Sequence, residues 1–365
     1  MTILVVGAGI SGLSTAWALT KRGVPVTLVE QGPIPNPLSA SGDQHRIIRR
    51  AYGGQGGYQR RIGDAYAAWD EMWSDLGQKH LVENGFLLLS QEEGDEGDIY
   101  RTGLVEGGYP FEDLSPKETA ERYPFIDPAT IRYSAVSKEG GVLLCQKIAA
   151  SLRGWLIDNG ATVMENARVT AVDTAAGSVT LADGSSLAGD HVVVTAGAWT
   201  LGLFPKLAQS LTTYRTAVVY LTPPEDLRAA WEQSPVILDV GGPVDGYVLP
   251  PVAGTGLKFG AGIHKFQSDP NRNRTPEAGE GEALRNHFSP PFARIGEYRV
   301  DDVVTCAYTF TSDEHFFATT EDKATIVSAC SGHGYKFGAV VGQKLAEGVV
   351  AKDFETARIW LEARD

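Results

Sequence analysis

Basic residues are in short supply: 32 lysines and arginines stand against 45 aspartates and glutamates, a net charge of −13 over 365 residues. A phosphate polymer or an anionic membrane surface would meet a repulsive field, which excludes nucleic acid and acidic lipid as partners and means that a small anion needs its own local basic pocket. Cysteine is scarcer still. Cys145, Cys306 and Cys330 are odd in number and far apart, so there is no disulfide framework and no CxxC pair to seed a metal centre, and no metal is expected. No apolar run approaches the roughly 20 residues that span a bilayer, and "MTILVVGAG" carries no basic leader before its short apolar stretch. The expectation is a soluble cytoplasmic protein. Glycine is plentiful at 42 residues, but without a fixed period, so it marks turns and no repeat architecture. The length allows two domains or one large one.

The first thirty residues read as strand, glycine turn, helix and strand. Ile3 to Val6 form a continuous apolar run, as a buried parallel strand requires. Gly7, Gly9 and Gly12 follow as GxGxxG: one glycine for the tight turn, one for backbone approach to a pyrophosphate, one for close helix–sheet packing. The helix that runs on to Lys21 aims its amino-terminal N–H groups at phosphate. The next strand, Val26 to Val29, delivers Glu30 about 20 residues past the glycines, where a carboxylate can accept from a ribose hydroxyl. This is a dinucleotide site, and on these residues FAD and NAD remain equal candidates.

Further along, Ile62, Tyr66, Trp69 and Trp73 recur at helical spacing within 57–77, a core-facing stripe. A strand is expected in 83–90, an amphipathic helix over 145–158, and a β meander that feeds "HVVVTAGAW". From 206 to 315 the pattern is mostly β, with "PPEDLRAA", "GGPVDGYVLPPVAGTG" and "QSDPNRNRTPEAGEG" read as loops. The tail returns to strand, glycine turn and helix in "ATIVSACSGHGYKFGAVVGQKLAEGVV", a second helix start aimed at the same cofactor. The fold class is α/β with an α+β substrate module: a Rossmann-like nucleotide-binding domain (1–78, 146–205 and 316–365) interrupted by a mostly antiparallel β-sheet substrate domain (79–145 and 206–315).

Six stretches in order, "GAGISG", "RIIRRAYG" at 46–53 shortly after "GD", "TAGAW" at 195–199, "GLKFG" at 256–260, "CAYTFTSDEHF" at 306–316 and "SGHGYKF" at 331–337, resemble the monomeric sarcosine oxidase and N-methyltryptophan oxidase family, within the D-amino-acid-oxidase-like class. The resemblance spans essentially the whole chain. It implies FAD as the cofactor, attached covalently through Cys306, whose thiolate must face the ring edge. It also implies a substrate carboxylate gripped by Arg49 and Lys336, the first offering a bidentate fork and the second a compact charge. Lys258 is implied as the cation that helps dioxygen react with the reduced ring. Arg46 and Val169 join Gly7, Gly9, Gly12 and Glu30 as cofactor contacts. Gly332 and Gly334 let the backbone close on the flavin, with Lys336 beside it. His333 and Tyr308 are implied as active-site polar groups, and Tyr247 as a wall of the substrate pocket.

Two departures from the family pattern stand out. His264 comes later than the histidine usual after the lysine of "GLKFG", and an extra residue puts His45 where the family tends to have threonine. The implied activity is oxidation of a secondary or N-methylated amino acid to an imine, with dioxygen reduced to hydrogen peroxide, by a monomer. A same-fold dehydrogenase passing electrons to a quinone or protein acceptor stands as the alternative, and a flavin-binding sensor without turnover as a more distant one.

Overall fold

The computed structural model describes residues 1–365 apart from 53–55, 239, 241–245 and 329. The last glycine of "RIIRRAYG" and the first part of the loop read in "GGPVDGYVLPPVAGTG" lie outside the described residues. The strand Ile3–Val6 is buried at every position and sits inside a six-stranded sheet. It pairs in parallel with Val26–Val29 on one side and His191–Val194 on the other. Thr162–Met164 extends the sheet beyond Val26–Val29, and Ala324–Ser328 extends it beyond His191–Val194. Phe317–Glu321 closes that side antiparallel. A parallel strand buried on both faces needs helices over it. The helices Ile10–Lys21, Gly56–Leu76, Cys145–Asp158 and Gly338–Ala351 contribute to the same apolar core as Ile3, Val5 and Leu28. The expected stripe is part of it, with Ile62, Trp69 and Trp73 buried and Tyr66 packed at its edge.

The meander appears as Val169–Asp173, Ser178–Leu181 and Ser186–Ala188, a three-stranded antiparallel sheet. A larger nine-stranded sheet is drawn from 86–137 and 212–310. Its pairings are antiparallel except between Val236–Leu238 and Phe86–Ser90. Its longest ribbon pairs Thr212–Thr222 with Arg299–Phe310. A second three-stranded sheet joins Arg46–Arg49, Gly140–Leu143 and Leu81–Val82.

Three segments read as loops hold regular structure. "PPEDLRAA" opens the helix Glu225–Glu232, where Glu225 and Asp226 favour the amino-terminal dipole and Leu227 and Trp231, four apart, are buried. The end of "QSDPNRNRTPEAGEG" enters the helix Glu280–His287, begun by Gly279 at φ +78°. "GGPVDGYVLPPVAGTG" contains the strand Gly246–Leu249. Both helices cover the apolar face of the large sheet, where Phe125 stacks on Trp231 with centroids 3.7 Å apart and Phe259 meets Phe288. Among the described residues no helix is long and apolar enough to cross a membrane.

Candidate functional site

A cavity of about 290 Å³ opens beside the glycine turn that follows Ile3–Val6. Gly7, Gly9, Glu30, Arg46, Val169, Tyr308, Gly332 and Gly334 all line it, so residues from six separated stretches of sequence meet at one surface. Gly7 has φ +97°, which disfavours a side chain, and a Cβ there would fall 2.7 Å from the Thr195 carbonyl oxygen. Gly12 does not line the cavity: its Cβ would lie 1.8 Å from the Gly7 oxygen, so it lets the helix pack on the turn. The helix start has no cap from Gly9 itself, and Ser41 Oγ accepts from the Ile10 N–H at 3.0 Å; the helix dipole still favours a bound anion here. At the rim the Glu30 carboxylate accepts from the Ala8 and Gly32 backbone N–H groups and from Asn36 Nδ2 at 2.7–3.0 Å. A carboxylate offers about four acceptor positions, so one is left for a ribose hydroxyl. The glycine-walled cradle, the helix start and the fixed carboxylate fit a dinucleotide such as FAD.

In the second glycine turn both glycines line the cavity and also serve the turn itself. Gly332 has φ +80°, and a Cβ there would touch only the Phe310 ring at 3.6 Å, so backbone conformation demands this glycine. At Gly334 a Cβ would fall 2.1 Å from Cys330 Cβ. Its smallness first serves the turn itself. A 3-10 turn, Tyr335–Phe337, then leads into the helix Gly338–Ala351.

Arg49 and Lys336, far apart in sequence, meet on one aromatic ring. The Arg49 guanidinium lies 5.4 Å from the centroid of Tyr52 and 4.4 Å from that of Tyr100, and Lys336 Nζ lies 5.2 Å from the centroid of Tyr52. Lys336 Nζ donates to the His333 carbonyl at 2.9 Å and reaches the Tyr52 hydroxyl at 3.4 Å. Burial and the neighbouring Arg49 charge hold the Lys336 ammonium well below its ordinary pKa. His333 Nε2 contacts the Glu314 carbonyl at 2.9 Å, so that nitrogen carries the proton, and Nδ1 accepts from the Tyr52 hydroxyl at 2.5 Å. Burial, then the Lys336 charge, lowers the His333 pKa to about 3, and the ring is neutral. Trp69 of the helical stripe also has a positioning part, because its indole donates to the Lys336 carbonyl at 2.8 Å. Tyr52 and Tyr100 were missed from sequence, although Tyr52 lies in the "RIIRRAYG" stretch itself.

Lys258, in the strand Leu257–Ala261, is fully buried. Its Nζ donates to Asp43 Oδ2 at 2.9 Å and to the His45 carbonyl at 2.6 Å. Asp43 also pairs with Arg46 at 2.6 Å, and the other nitrogen of that guanidinium donates to the Tyr308 hydroxyl at 3.1 Å. Tyr247 shares a sheet face with Lys258, because Tyr247 pairs with Gly260 and Leu249 with Lys258. A Cβ on Gly260 would fall 2.5 Å from the Tyr247 ring, so that glycine makes room for it. Cys306 is buried in the long ribbon and, two residues from Tyr308, points to the same side. Cys330, not Cys306, lines the cavity. Of the two departures, His264 stands apart, with Nδ1 3.9 Å from Glu280. His45 is buried, its ring stacked on Tyr220 at 6.2 Å. Asp43, which the sequence reading quoted only as part of "GD", is the hub of the group.

Residues 2–348 match the family model described as FAD dependent oxidoreductase. The chain is 29% identical to the peroxisomal sarcosine oxidase of Mus musculus, over 94% of this chain and 90% of that protein. It is 28% identical to the monomeric sarcosine oxidase of Bacillus sp. (strain NS-129), over 94% and 92%. Among solved structures, the L-proline dehydrogenase of P. horikoshii superposes with a TM-score of 0.82 at 18% identity, covering 99% of this chain and 96% of that one, which is a likeness of fold.

Proposed function

The chain belongs to the FAD dependent oxidoreductase family, and from that premise we propose that it is an oxidase of a small secondary or N-methylated amino acid, sarcosine-like or a cyclic imino acid. The observation that carries this reading is the buried Lys336 ammonium, whose hydrogen-bond partners among the described residues are two neutral oxygens, facing the same tyrosine ring as Arg49. Two cations brought this close in a low-dielectric site repel, and the favourable occupant of the space between them is a carboxylate. Arg49 offers it a planar fork and Lys336 a point charge. The neutral His333, fixed in one tautomer, orients the Tyr52 hydroxyl and through it the ammonium. Tyr247 and Tyr308 supply walls. FAD, when bound, accepts the two electrons of the CH–NH bond and passes them on. Lys258 is the cation that favours dioxygen as the acceptor, with hydrogen peroxide as the product. Cys306, buried on the Tyr308 side of its strand, is the point of covalent attachment.

The test is an anaerobic titration with sarcosine, other N-methyl amino acids and L-proline, followed by readmission of air. The visible absorbance of the oxidised flavin should fall with at least one of them, and air alone should restore it with peroxide formed. Restoration by a quinone but not by air would make the protein a dehydrogenase, and no bleaching by any of them would refute the amino-acid reading.

A further inference from the structure

Lys258 is asked to be a cation where burial is most hostile to one, with its side chain 0% exposed. What keeps it charged is visible around it. Asp43 is itself buried and every acceptor direction is in use: Oδ1 accepts from the Tyr220 hydroxyl at 2.5 Å and from the Gln44 N–H at 2.8 Å, while Oδ2 accepts from Lys258 at 2.9 Å and Arg46 at 2.6 Å. We infer that Asp43 is a positioning residue for dioxygen reduction, which holds Lys258 as an ammonium and couples it to the cavity-lining Arg46. The inference rests on the part given to Lys258 above.

Titratable and charged groups face Lys258 from several packed elements, and Tyr247 on the paired strand Gly246–Leu249 shares its sheet face. The segment before the strand Arg46–Arg49 contributes Asp43 and His45, that strand contributes Arg46, the neighbouring strand Tyr220, and the start of the helix Cys145–Asp158 contributes Cys145. Burial, then the Lys258 charge, lowers His45 well below its ordinary range, so it is neutral. Burial pushes the Cys145 thiol up to about 11, and burial with the Asp43 charge pushes the Tyr220 phenol far up, so both keep their protons at neutral pH. Asp43 is therefore the one anion of this set. Burial alone would raise its carboxyl, but the Lys258 and Arg46 charges and the Tyr220 hydrogen bond outweigh that and hold it well below the carboxylate range. For Lys258, burial and Arg46 favour loss of the proton and Asp43 opposes it. Two cations and one anion leave a net positive charge beside the cavity, where it would favour electron transfer from a bound flavin to dioxygen.

The experiment compares wild type, Asp43→Asn, Tyr220→Phe and Lys258→Met as flavin-loaded proteins, following flavin reduction and air reoxidation against pH. Alongside, ¹³C-labelled lysine spectra report the titration of Lys258, its resonance assigned by its loss in Lys258→Met. In Asp43→Asn the Lys258 resonance should titrate at lower pH than in wild type. At pH above the lysine pKa, reoxidation should slow relative to reduction by about tenfold for each unit of downward shift, and it should recover as pH falls and the ammonium returns. Tyr220→Phe removes a donor from Asp43, makes it a stronger base, and should move the lysine titration the other way. Should Asp43→Asn fail to fold, the upward shift in Tyr220→Phe carries the test. An unchanged lysine titration in either variant, or pH-independent reoxidation in Asp43→Asn, overturns the inference while the part given to Lys258 stands. Normal reoxidation in Lys258→Met removes that part itself, and the inference with it.

Discussion

Lys336 sits where burial strips its hydration and Arg49 repels it, so its pKa lies well below that of a free lysine. The protonated form is the one that binds a carboxylate. Affinity for such a ligand therefore falls as pH rises through the lowered Lys336 pKa of the free protein, and binding in turn raises that pKa. Lys336→Met should abolish this dependence and weaken carboxylate ligands by about 2–5 kcal/mol, while a neutral ligand of the same shape changes little. Titrating pyrrole-2-carboxylate and its carboxamide against the flavin spectrum from about pH 6 to about pH 10 checks both statements. His333, lowered to about 3, should add no inflection near pH 6.5; one found there and lost in His333→Gln would contradict the neutral state given to it. How much of the site the sequence disclosed divides along the same line. Arg49, Lys336 and Lys258 lie in quotable motifs, whereas Tyr52 as the ring beneath two cations, and Asp43 as the anion beneath another two, each depend on one distant contact, 284 residues away for Tyr52 and Lys336 and 215 for Asp43 and Lys258.

At the scale of elements, the helices Ile10–Lys21 and Gly338–Ala351 pack backbone to backbone. A Cβ on Gly338 would fall 2.3 Å from Ile10 Cγ1, and one on Gly342 would fall 2.3 Å from the Ser14 carbonyl carbon. Gly342→Ala must therefore push the helices apart, at a cost of about 1–3 kcal/mol. Gly63, on the exposed face of Gly56–Leu76, has open space where a Cβ would go, and Gly63→Ala should stabilise by about 0.5–1 kcal/mol. Denaturant midpoints measure both, and equal shifts of one sign would show that backbone approach is not what Gly342 provides. The elements legible in the sequence are those with an uninterrupted period. Ile3–Val6, Val26–Val29 and Cys145–Asp158 have the bounds their patterns predicted. The helices Glu225–Glu232 and Glu280–His287 were hidden by short length and by proline, glycine and charge at their starts. What makes them helices is burial of Trp231 and Leu284 against a sheet that local pattern does not reveal.

Across the whole molecule the nucleotide-type sheet supplies the cradle, the small sheet supplies Arg46 and Arg49, and the long ribbon of the large sheet carries Cys306 and Tyr308 to the cavity side. If Cys306 is the attachment point, the flavin should stay with acid-precipitated wild-type protein and enter the supernatant from Cys306→Ala. Retention in that variant with release from Cys330→Ala would move the link to the cavity-lining Cys330. The central claim is that a carboxylate docked between Arg49 and Lys336 presents an amine for oxidation, and it is tested most directly by anaerobic flavin reduction with sarcosine beside sarcosine methyl ester. The free acid should bleach the visible flavin absorbance at far lower concentration than the ester, and Lys336→Met should remove most of that difference. Equal bleaching by acid and ester in the wild-type protein would contradict the account.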